Sequence, residues 1–223
     1  MNLIPSEYIF LSHIISEHTP TYGNRDNFQV VPNSEIKKGD SANSSKWIFT
    51  TNHLGTHIDI PNHFVENGNT IDDYNAEFWI FKNIHLIEIS CEHEVLIDEK
   101  SFIKENIDSN IEFLLIKTNY ERFRNFDKYW NNNPGIAPSL ASYLKNNFPK
   151  LRAIGFDFIS LTSFQFRSVG KESHLAFLGG HSPILIIEDM KLSDLSYKPK
   201  EVIVLPLRVQ ETNGSPVTIL AII

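Results

Sequence analysis

The stretch Asn52-His-Leu-Gly-Thr-His57-Ile-Asp59-Ile-Pro-Asn-His63 holds three of the nine histidines of the chain and one aspartate. Its glycine, its proline and several β-branched residues oppose a helix. In an extended strand His57 and Asp59 share a face, because side chains alternate. His53 would then lie about 13 Å from His57, at roughly 3.3 Å per residue, too far for both to bind one ion. The chain must therefore bend, and Gly55 permits a bend at the least steric cost.

The residue types in this bent segment point to metal chemistry. Neutral imidazole and carboxylate are ligands for Zn²⁺, Mn²⁺ and similar ions, and no cysteine stands among them, so a structural zinc finger fits poorly. A single loop histidine is more often a surface or satisfied core residue, but four candidate ligands in one segment favour a metal site. His63 lies beyond Pro61, where an imidazole can take up and return a proton. A structural role for His63 stays open.

Apolar runs along the rest of the chain predict buried strands, because their length and β-branched content suit strands better than helices. These runs cover residues 83–90, 112–118, 153–160, 183–188, 202–209 and 216–223. Asn213-Gly214 supplies residues that tolerate a tight turn and predicts a C-terminal hairpin. The polar stretch 32–46 is interpreted as a loop and a candidate flap.

Helical signal is sparser than strand signal. Leu140, Tyr143, Leu144 and Phe148 follow the spacing of one helical face and predict a helix that begins near Ser139. Residues 101–107 are a weaker candidate for a second helix. Because strands outnumber helices, we expect an α+β or mixed-sheet architecture and not a doubly wound parallel fold.

Length and composition exclude several classes of protein. A chain of 223 residues with 41% hydrophobic and 21% charged residues predicts a single folded domain over residues 1–223. A net charge of −7 without a long basic cluster argues against nucleic acid as a partner. No uninterrupted apolar run approaches the 18 or so residues that cross a bilayer, so we expect no membrane partner. One cysteine, Cys91, and no recognisable signal peptide favour a cytoplasmic location.

The pattern His-x-Gly-Thr-His-x-Asp-x-Pro-x-His from His53 to His63 resembles the signature of the cyclase family of metal-dependent hydrolases, which includes bacterial kynurenine formamidase and isatin hydrolase. Further stretches that resemble the family follow in order: Phe10-Leu-Ser-His13, Gly155-Phe-Asp157-Phe-Ile-Ser160, Leu205-Pro-Leu and Gly214-Ser-Pro-Val217. The resemblance implies the swivelling β/β/α fold, an α+β fold with a mixed β-sheet core. It also implies a homodimer or a larger homo-oligomer.

The resemblance further implies a set of site residues. His53, His57 and Asp59 would bind a divalent metal, Zn²⁺ or Mn²⁺, as one or two ions per chain, and His63 would be catalytic. A later pair that resembles the remaining ligands is His174 and Glu188. Their interval of 14 residues is about two longer than the family leads us to expect, so His181 or an altered second metal site stays an alternative.

The expected reaction is attack on the carbonyl of a small formamide, amide or lactam by a water that the dication activates, with cleavage of the C–N bond. The family's kynurenine formamidases carry Trp-Pro-Gly near the N-terminus, where this chain has Pro20-Thr-Tyr-Gly-Asn24. Thr218 stands where a basic residue usually follows in the family. These departures leave the exact substrate open. The alternatives are a catalytically degenerate, metal-retaining binding protein and a metal-free interaction domain.

Overall fold

A mixed β-sheet forms the centre of the structure, a computed structural model that describes residues 7–223. The strands are β1 (Tyr8–Phe10), β2 (Phe28–Ser34), β3 (Ser44–Phe49), β4 (His57–Asp59), β5 (Ile80–Phe81), β6 (Ile84–Glu88), β7 (Leu96–Ile97), β8 (Phe113–Lys117), β9 (Gly135–Ile136), β10 (Ala153–Phe156), β11 (Leu185–Glu188), β12 (Glu201–Pro206) and β13 (Gly214–Ile222).

The α-helices are α1 (Lys128–Asn131), α2 (Pro138–Asn147) and α3 (Arg167–Leu178). Short 3₁₀ helices cover Tyr22–Asn24, Ile36–Lys38, Pro61–His63, Ile71–Asp73, Ala76–Trp79, Glu99–Ser101 and Tyr120–Phe123. Helices α2 and α3 pack against each other, and α3 also contacts β11. Within residues 7–223, every helix is too short or too polar to cross a membrane.

The order of strands in the large sheet is β5-β12-β13-β4-β11-β10-β8-β6, and β1 also pairs with β13. From β11 to β6 the neighbouring strands are parallel, whereas β4 is antiparallel to both β11 and β13. The three-residue strand β4 therefore lies where the parallel and antiparallel parts of the sheet meet. Strands β8, β10 and β11 are buried along their whole length, as their apolar sequences predict for strands covered on both faces.

The structure confirms the α+β class, and each predicted apolar run overlaps a strand. Helix α2 confirms the predicted helix near Ser139. The C-terminal hairpin is confirmed by the antiparallel pairing of β12 with β13, but its connection spans residues 207–213. In that connection Glu211 has a positive φ of 57°, so Asn213-Gly214 is not the tight turn that we predicted.

One prediction about local structure is wrong and another holds only in part. Residues 101–107 do not form an α-helix: a 3₁₀ helix ends at Ser101, and Phe102 is buried while Ile103 is exposed. The loop predicted over residues 32–46 is confirmed for residues 35–43, whereas the two ends of the stretch belong to β2 and β3, which pair as a hairpin with a register shift between Pro32 and Ser34. Serine and lysine residues on the exposed strand β3 hid this hairpin, since few of its side chains enter the core.

Helix α3 was missed, and its sequence explains why. Its buried residues follow one helical face but include Gly170, Ser173 and His174 together with Phe177 and Leu178. Glycine, serine and histidine contribute little hydrophobicity, so a face defined by apolar spacing is not visible there. The face is buried because it covers a polar site.

Asp157 joins the ends of two parallel strands. Its Oδ1 accepts hydrogen bonds from the backbone N–H of Thr118, at 2.8 Å, and from the Thr118 hydroxyl, at 2.5 Å. Its Oδ2 is buried without a hydrogen-bond partner. Burial raises the pKa of Asp157 to about 6, against the hydrogen bonds from Thr118 that act to lower it. These contacts give Asp157 a structural role.

The raised pKa of Asp157 predicts a pH-dependent contribution to stability. The folded state holds this proton more tightly than the unfolded chain, so the contribution is complete below about pH 4 and is lost as pH rises to about 6, by about 2 to 3 kcal/mol. Asp157→Asn should remove that decline in the free energy of unfolding, measured by urea denaturation at each pH. Asp127→Asn, at an exposed position, is the control. A wild-type minus Asp157→Asn difference that stays constant from pH 4 to 6 would contradict the prediction.

Candidate metal centre

Three carboxylate and imidazole side chains are brought together by the register of β4 with its neighbours. His57 lies directly opposite Glu188 on β11, and Asp59 lies opposite Gly214 on β13. Paired residues on adjacent strands present their side chains to the same face of the sheet, and so do His57 and Asp59, two residues apart. Both carboxylates and the imidazole are buried.

Gly55 makes the bend that the sequence predicts, with a φ of +61°. The bend returns His53 toward the strand, so that its Nδ1 lies 2.7 Å from Asp59 Oδ1. After β4, the 3₁₀ helix Pro61–His63 carries His63 back over the same place, where its ring stacks on that of His53 at 4.0 Å. One short segment therefore supplies three imidazoles and one carboxylate to a single centre.

Helix α3 adds a fourth imidazole from the other side. His174 is buried, and its Nε2 lies 3.4 Å from Asp59 Oδ2 and 3.8 Å from Glu188 Oε1. Its Nδ1–H donates to the carbonyl of Gly170 at 2.8 Å. The ring of Phe64 stacks on that of His174 at 4.3 Å and fixes the plane of the imidazole.

Two of the histidines are held in the tautomer that ligates metals through Nε2. The Nδ1–H of His57 donates to the Gly55 carbonyl at 2.8 Å, as that of His174 does to Gly170. Each Nε2 consequently faces carboxylate oxygens: for His57 these are Asp59 Oδ1 at 3.5 Å and Glu188 Oε2 at 3.4 Å. The lone pair of each Nε2 would repel the carboxylate oxygens that it faces. The arrangement is therefore stable only when a proton or a dication lies between the nitrogen and these oxygens. The donor set fits a divalent ion.

The candidate ligand atoms fall into two overlapping groups. His53, His57 and Asp59 form one, and Asp59, His63 and His174 form the other, with ligand atoms within 4.8 Å of one another in each group. Asp59 belongs to both groups, which is the arrangement that a carboxylate bridging two ions requires. Glu188 lies within 4 Å of His57 and His174. His63 is close enough to bind metal, an option that the sequence left for a test.

The electrostatics of the centre are dominated by its buried carboxylates. Burial alone would lower the pKa of His57, but the hydrogen bond and charge of Glu188 and the charge of Asp59 raise it to about 9. Burial would also lower the pKa of His174, but the hydrogen bonds and charges of Asp59 and Glu188 raise it to about 10. Burial would raise the pKa of Asp59, yet His53 and His174 hold it well below its usual value. The centre therefore favours positive charge strongly.

His63 differs from these histidines in its electrostatics. Burial, together with the neighbouring charges of His53 and His174, lowers its pKa to about 4 against the attraction of Asp59. Its ring is therefore uncharged at neutral pH, with a lone pair on one nitrogen. His63 also touches Phe64, whose ring packs edge-on against it at 4.5 Å.

Glu188 is fixed in position by the segment that follows β10. Its Oε1 accepts a hydrogen bond from the backbone N–H of Leu161 at 2.7 Å and from the Ser160 hydroxyl at 3.2 Å. Burial and the charge of Asp59 act to raise the pKa of Glu188, but the hydrogen bonds of His174 and His57 and the charge of His57 lower it below its usual value. Ser160 thus orients the carboxylate of Glu188.

The connection between β12 and β13 supports His53 from behind. Asn213 Oδ1 lies 3.3 Å from His53 Nε2 and accepts from the Asn52 side chain at 2.7 Å. A Cβ on Gly214 would lie 2.6 Å from His53 Cε1 and 2.8 Å from the Ile58 carbonyl oxygen, so only glycine fits. Asn213 and Gly214, which the sequence predicts as a turn, therefore support the imidazole of His53.

A pocket of about 290 Å³ opens onto the centre. Besides the centre itself it is lined by Tyr22, Phe64, Ile159 and Thr162. The sequence did not identify these four as pocket residues. Two signals were available: Phe64 follows His63, and Tyr22 lies in the stretch where kynurenine formamidases carry Trp-Pro-Gly. The pocket has the shape and the aromatic lining of a site for a small organic molecule.

The structure brings all of the sequence-predicted site residues to this centre: His53, His57, Asp59, His63, His174 and Glu188. His181 is exposed in the connection between α3 and β11, apart from the other histidines. The same connection, residues 179–184, accounts for the long interval between His174 and Glu188, because loop residues can be added there without moving either side chain.

Comparison with known families gives the same assignment. The family model named Cyclase matches residues 9–162, which include the bent segment and β4. The chain belongs to the Cyclase family. The match covers more than half of the sequence and ends before His174, so the helix that completes the centre lies outside it.

Relatives of known name extend the similarity along nearly the whole chain. Kynurenine formamidase of Geobacillus thermodenitrificans is 29% identical over 210 residues, which are 94% of this chain and 94% of that protein. Cyclase-like protein 3 of Oryza sativa subsp. japonica is 26% identical and covers 93% of this chain, which spans 76% of its length.

Solved structures share the fold. An isatin hydrolase bound to the product analogue thioisatinate matches with a TM-score of 0.76 at 16% identity, covering 97% of this chain and 92% of its own. Isatin hydrolase A from Labrenzia aggregata, bound to benzyl benzoate, matches with a TM-score of 0.77 at 18% identity. The match covers 96% of this chain and 92% of that protein. The expected cyclase-type fold with a mixed β-sheet core is thus confirmed.

The close packing of Gly214 against His53 predicts the effect of a methyl group added at residue 214. Gly214→Ala should displace the imidazole or separate β13 from β4, and so weaken Zn²⁺ binding by about 10-fold to 100-fold, the usual effect of disturbing a group that orients a ligand. Competition with a chelator measures the affinity, and circular dichroism checks the fold. Thr218→Ala, at an exposed position of the same strand, should bind Zn²⁺ normally. Normal affinity in folded Gly214→Ala would contradict the role of this glycine.

Proposed function

We propose that the protein is a metal-dependent hydrolase that cleaves the C–N bond of a small aryl formamide, amide or lactam. Its metal ligands in this proposal are His53, His57, Asp59, His174 and Glu188. The observation that supports it most directly is the pair of Nε2 atoms, on His57 and His174, locked toward two buried carboxylates. Such a set would hold one or two dications, Zn²⁺ or Mn²⁺, with Asp59 as the bridge.

A dication bound there would act as a Lewis acid that polarises the carbonyl and acidifies a water. The chain's own residues orient the reaction. Gly55 and Gly170 fix two imidazoles through their carbonyls, and Leu161 fixes Glu188 through its backbone N–H. Because these partners are backbone groups, the geometry of the centre does not depend on mobile side chains.

His63 is the proposed proton carrier. Its neutral ring at the edge of the centre can accept a proton from the attacking water and return it to the leaving nitrogen. The return step matters for C–N cleavage, since an amine leaves far more readily with a proton than as an anion. The stacking of His63 on His53 restrains the ring while leaving its nitrogens at the pocket.

The substrate class is supported by the pocket and by the names of the relatives. A volume of about 290 Å³ is at the small end for ligand pockets, which suits a one-ring or two-ring compound. Tyr22 and Phe64 offer ring faces and edges to a planar substrate. The chain is similar to a kynurenine formamidase and to an isatin hydrolase. The first name indicates an aromatic formamide as the substrate, and the second indicates a lactam.

Ligand and proton-carrier variants separate these roles. His57→Ala and Asp59→Ala should lose bound metal and activity together, because both remove a ligand. His63→Ala should keep most of its metal while losing roughly 10²-fold to 10⁴-fold in kcat on formanilide and isatin. Metal content is measured by elemental analysis of protein loaded with Zn²⁺ or Mn²⁺.

Equal metal loss in all three variants would show that His63 is a ligand in the group with Asp59 and His174. Metal-loaded wild-type protein that cleaves none of a panel of aryl formamides, lactams and esters would favour the alternative, a metal-retaining binding protein. Stoichiometric metal in the wild type would exclude a metal-free interaction domain.

We also propose that two copies associate through an apolar face. A cleft of about 1000 Å³, separate from the metal centre, lies between the β2–β3 hairpin and the end of the β12–β13 hairpin. Trp47, Leu205 and Leu207 line it and are more than half exposed. An isolated two-stranded hairpin is marginally stable, so β2–β3 needs a packing partner. This face carries both the projecting β2–β3 hairpin and the apolar cleft. Two copies related by a two-fold axis can therefore each place the hairpin of one in the cleft of the other.

Sedimentation equilibrium tests this association. The wild type should sediment as a dimer or larger, and Trp47→Asp should shift it to a monomer, because a carboxylate in an apolar interface would lose its hydration. Lys46→Asp, on the opposite face of the same strand, is the matched control and should leave the assembly unchanged. A monomeric wild type at micromolar concentration would contradict the proposal.

We also propose a single domain and a cytoplasmic location. One hydrophobic cluster includes side chains from Leu11 to Ala221, which supports a single domain over residues 1–223. The lone Cys91 is buried, and burial raises its pKa to about 11, so the thiol is poorly reactive. A chain that uses no disulfide is consistent with the proposed cytoplasmic location.

A further inference from the structure

Two arginines, Arg167 and Arg25, lie against Phe164, whose ring packs on the pocket residue Tyr22. The guanidinium carbon of Arg167, the first residue of α3, lies 4.0 Å above the ring centre of Phe164. Arg25 approaches the same ring, since its Nε and a Phe164 ring carbon lie 3.1 and 3.0 Å from the point that a Cβ on Gly23 would occupy. Both arginines are exposed, and within residues 7–223 neither forms an ion pair. A chain of net charge −7 thus leaves two adjacent cations uncompensated.

Tyr22 connects these cations to the pocket. Its ring packs against Phe164 with centroids 5.6 Å apart, and the residue lines the pocket together with the metal centre. Its hydroxyl is shielded from solvent and has no hydrogen bond of good geometry, although the Arg167 guanidinium lies beside it. A buried hydroxyl without a hydrogen-bond partner destabilises the protein. A ligand group that forms a hydrogen bond with it would remove this penalty and so bind more tightly.

The stacking of Arg167 on Phe164 determines which of its atoms are available. A guanidinium that stacks its face on a ring keeps its N–H edge free. Those donors form a planar fork, which matches the two oxygens of a carboxylate. The aromatic contact also restrains the side chain, so less conformational entropy is lost when an anion binds.

We propose that Arg167 and the Tyr22 hydroxyl bind a carboxylate of the substrate, so that the enzyme prefers aryl amides that carry a negative charge. This inference rests on the proposed hydrolase function and names the substrate class of the same pocket. Arg25 adds positive potential at the mouth without direct contact. The carboxylate is held at the rim while the amide reaches the metal centre, which orients the substrate along the pocket.

Matched pairs of substrates test the inference. The probes are 3- and 4-formamidobenzoate, and the neutral compounds of similar shape are 3- and 4-nitroformanilide. Arg167→Gln should raise KM for the formamidobenzoates by about 10-fold with little change in kcat, since the lost contact is a charge-assisted hydrogen bond at a partly solvated site. For the nitroformanilides both constants should stay within about 2-fold. Tyr22→Phe should raise KM for the same anionic probes by a few fold.

Arg208→Gln is the matched control, because Arg208 is exposed on the connection between β12 and β13 and, unlike Arg167, does not stack on Phe164. It should behave as the wild type on every probe. Raising the NaCl concentration from 20 to 500 mM, for the wild type, should raise KM of the formamidobenzoates and leave that of the nitroformanilides unchanged, as screening of a contact at the mouth requires.

The outcomes for the inference and for the function are distinct. If Arg167→Gln and the wild type cleave both kinds of probe with the same relative efficiency, the carboxylate site is refuted while the hydrolase function stands. If the wild type cleaves neither, titration calorimetry with the same compounds decides the inference separately. Weaker binding of 3-formamidobenzoate alone to Arg167→Gln supports the carboxylate site, and equal binding overturns it.

Discussion

Two carboxylates buried side by side, Asp59 and Glu188, set the constraint on which the rest of the site depends. The charge of each raises the energy of the other, and both are almost completely buried, so the surroundings must supply positive charge. Imidazoles come from β4 itself, from the bend and the 3₁₀ turn that flank it, and from helix α3 to do so. The locked Nε2 atoms of His57 and His174 are a consequence of this demand.

The fold satisfies the demand by placing β4 between a parallel and an antiparallel set of strands. Its neighbour β11 contributes a carboxylate, and β13 contributes a glycine, because the opposite side of Asp59 must leave room for His53. Helix α3 then closes the centre with a polar face. Parts of the chain far apart in sequence therefore converge through strand register rather than through flexible loops.

The sequence predicted much of this because the ligands share one short segment. Alternation placed His57 with Asp59, and the glycine at the bend placed His53. Helix α3 was not predicted, since burial against a polar centre selects Gly170 and His174 where a hydrophobic pattern needs leucine. The position of Arg167 beside the pocket residue Tyr22 was also beyond prediction, because nothing local in the sequence shows that the two are neighbours.

The short strand β4 has a consequence for the motions of the site. Its residues pair with a neighbour on each side, so His57 and Asp59 cannot detach unless two ladders open together. Amide hydrogens there are expected to exchange slowly with solvent, close to the rate of global unfolding. His53 and His63 lie outside the ladder, on the bend and on the 3₁₀ turn. Fluctuations that admit or release an ion are thereby confined to one wall of the pocket, while the opposite wall stays rigid.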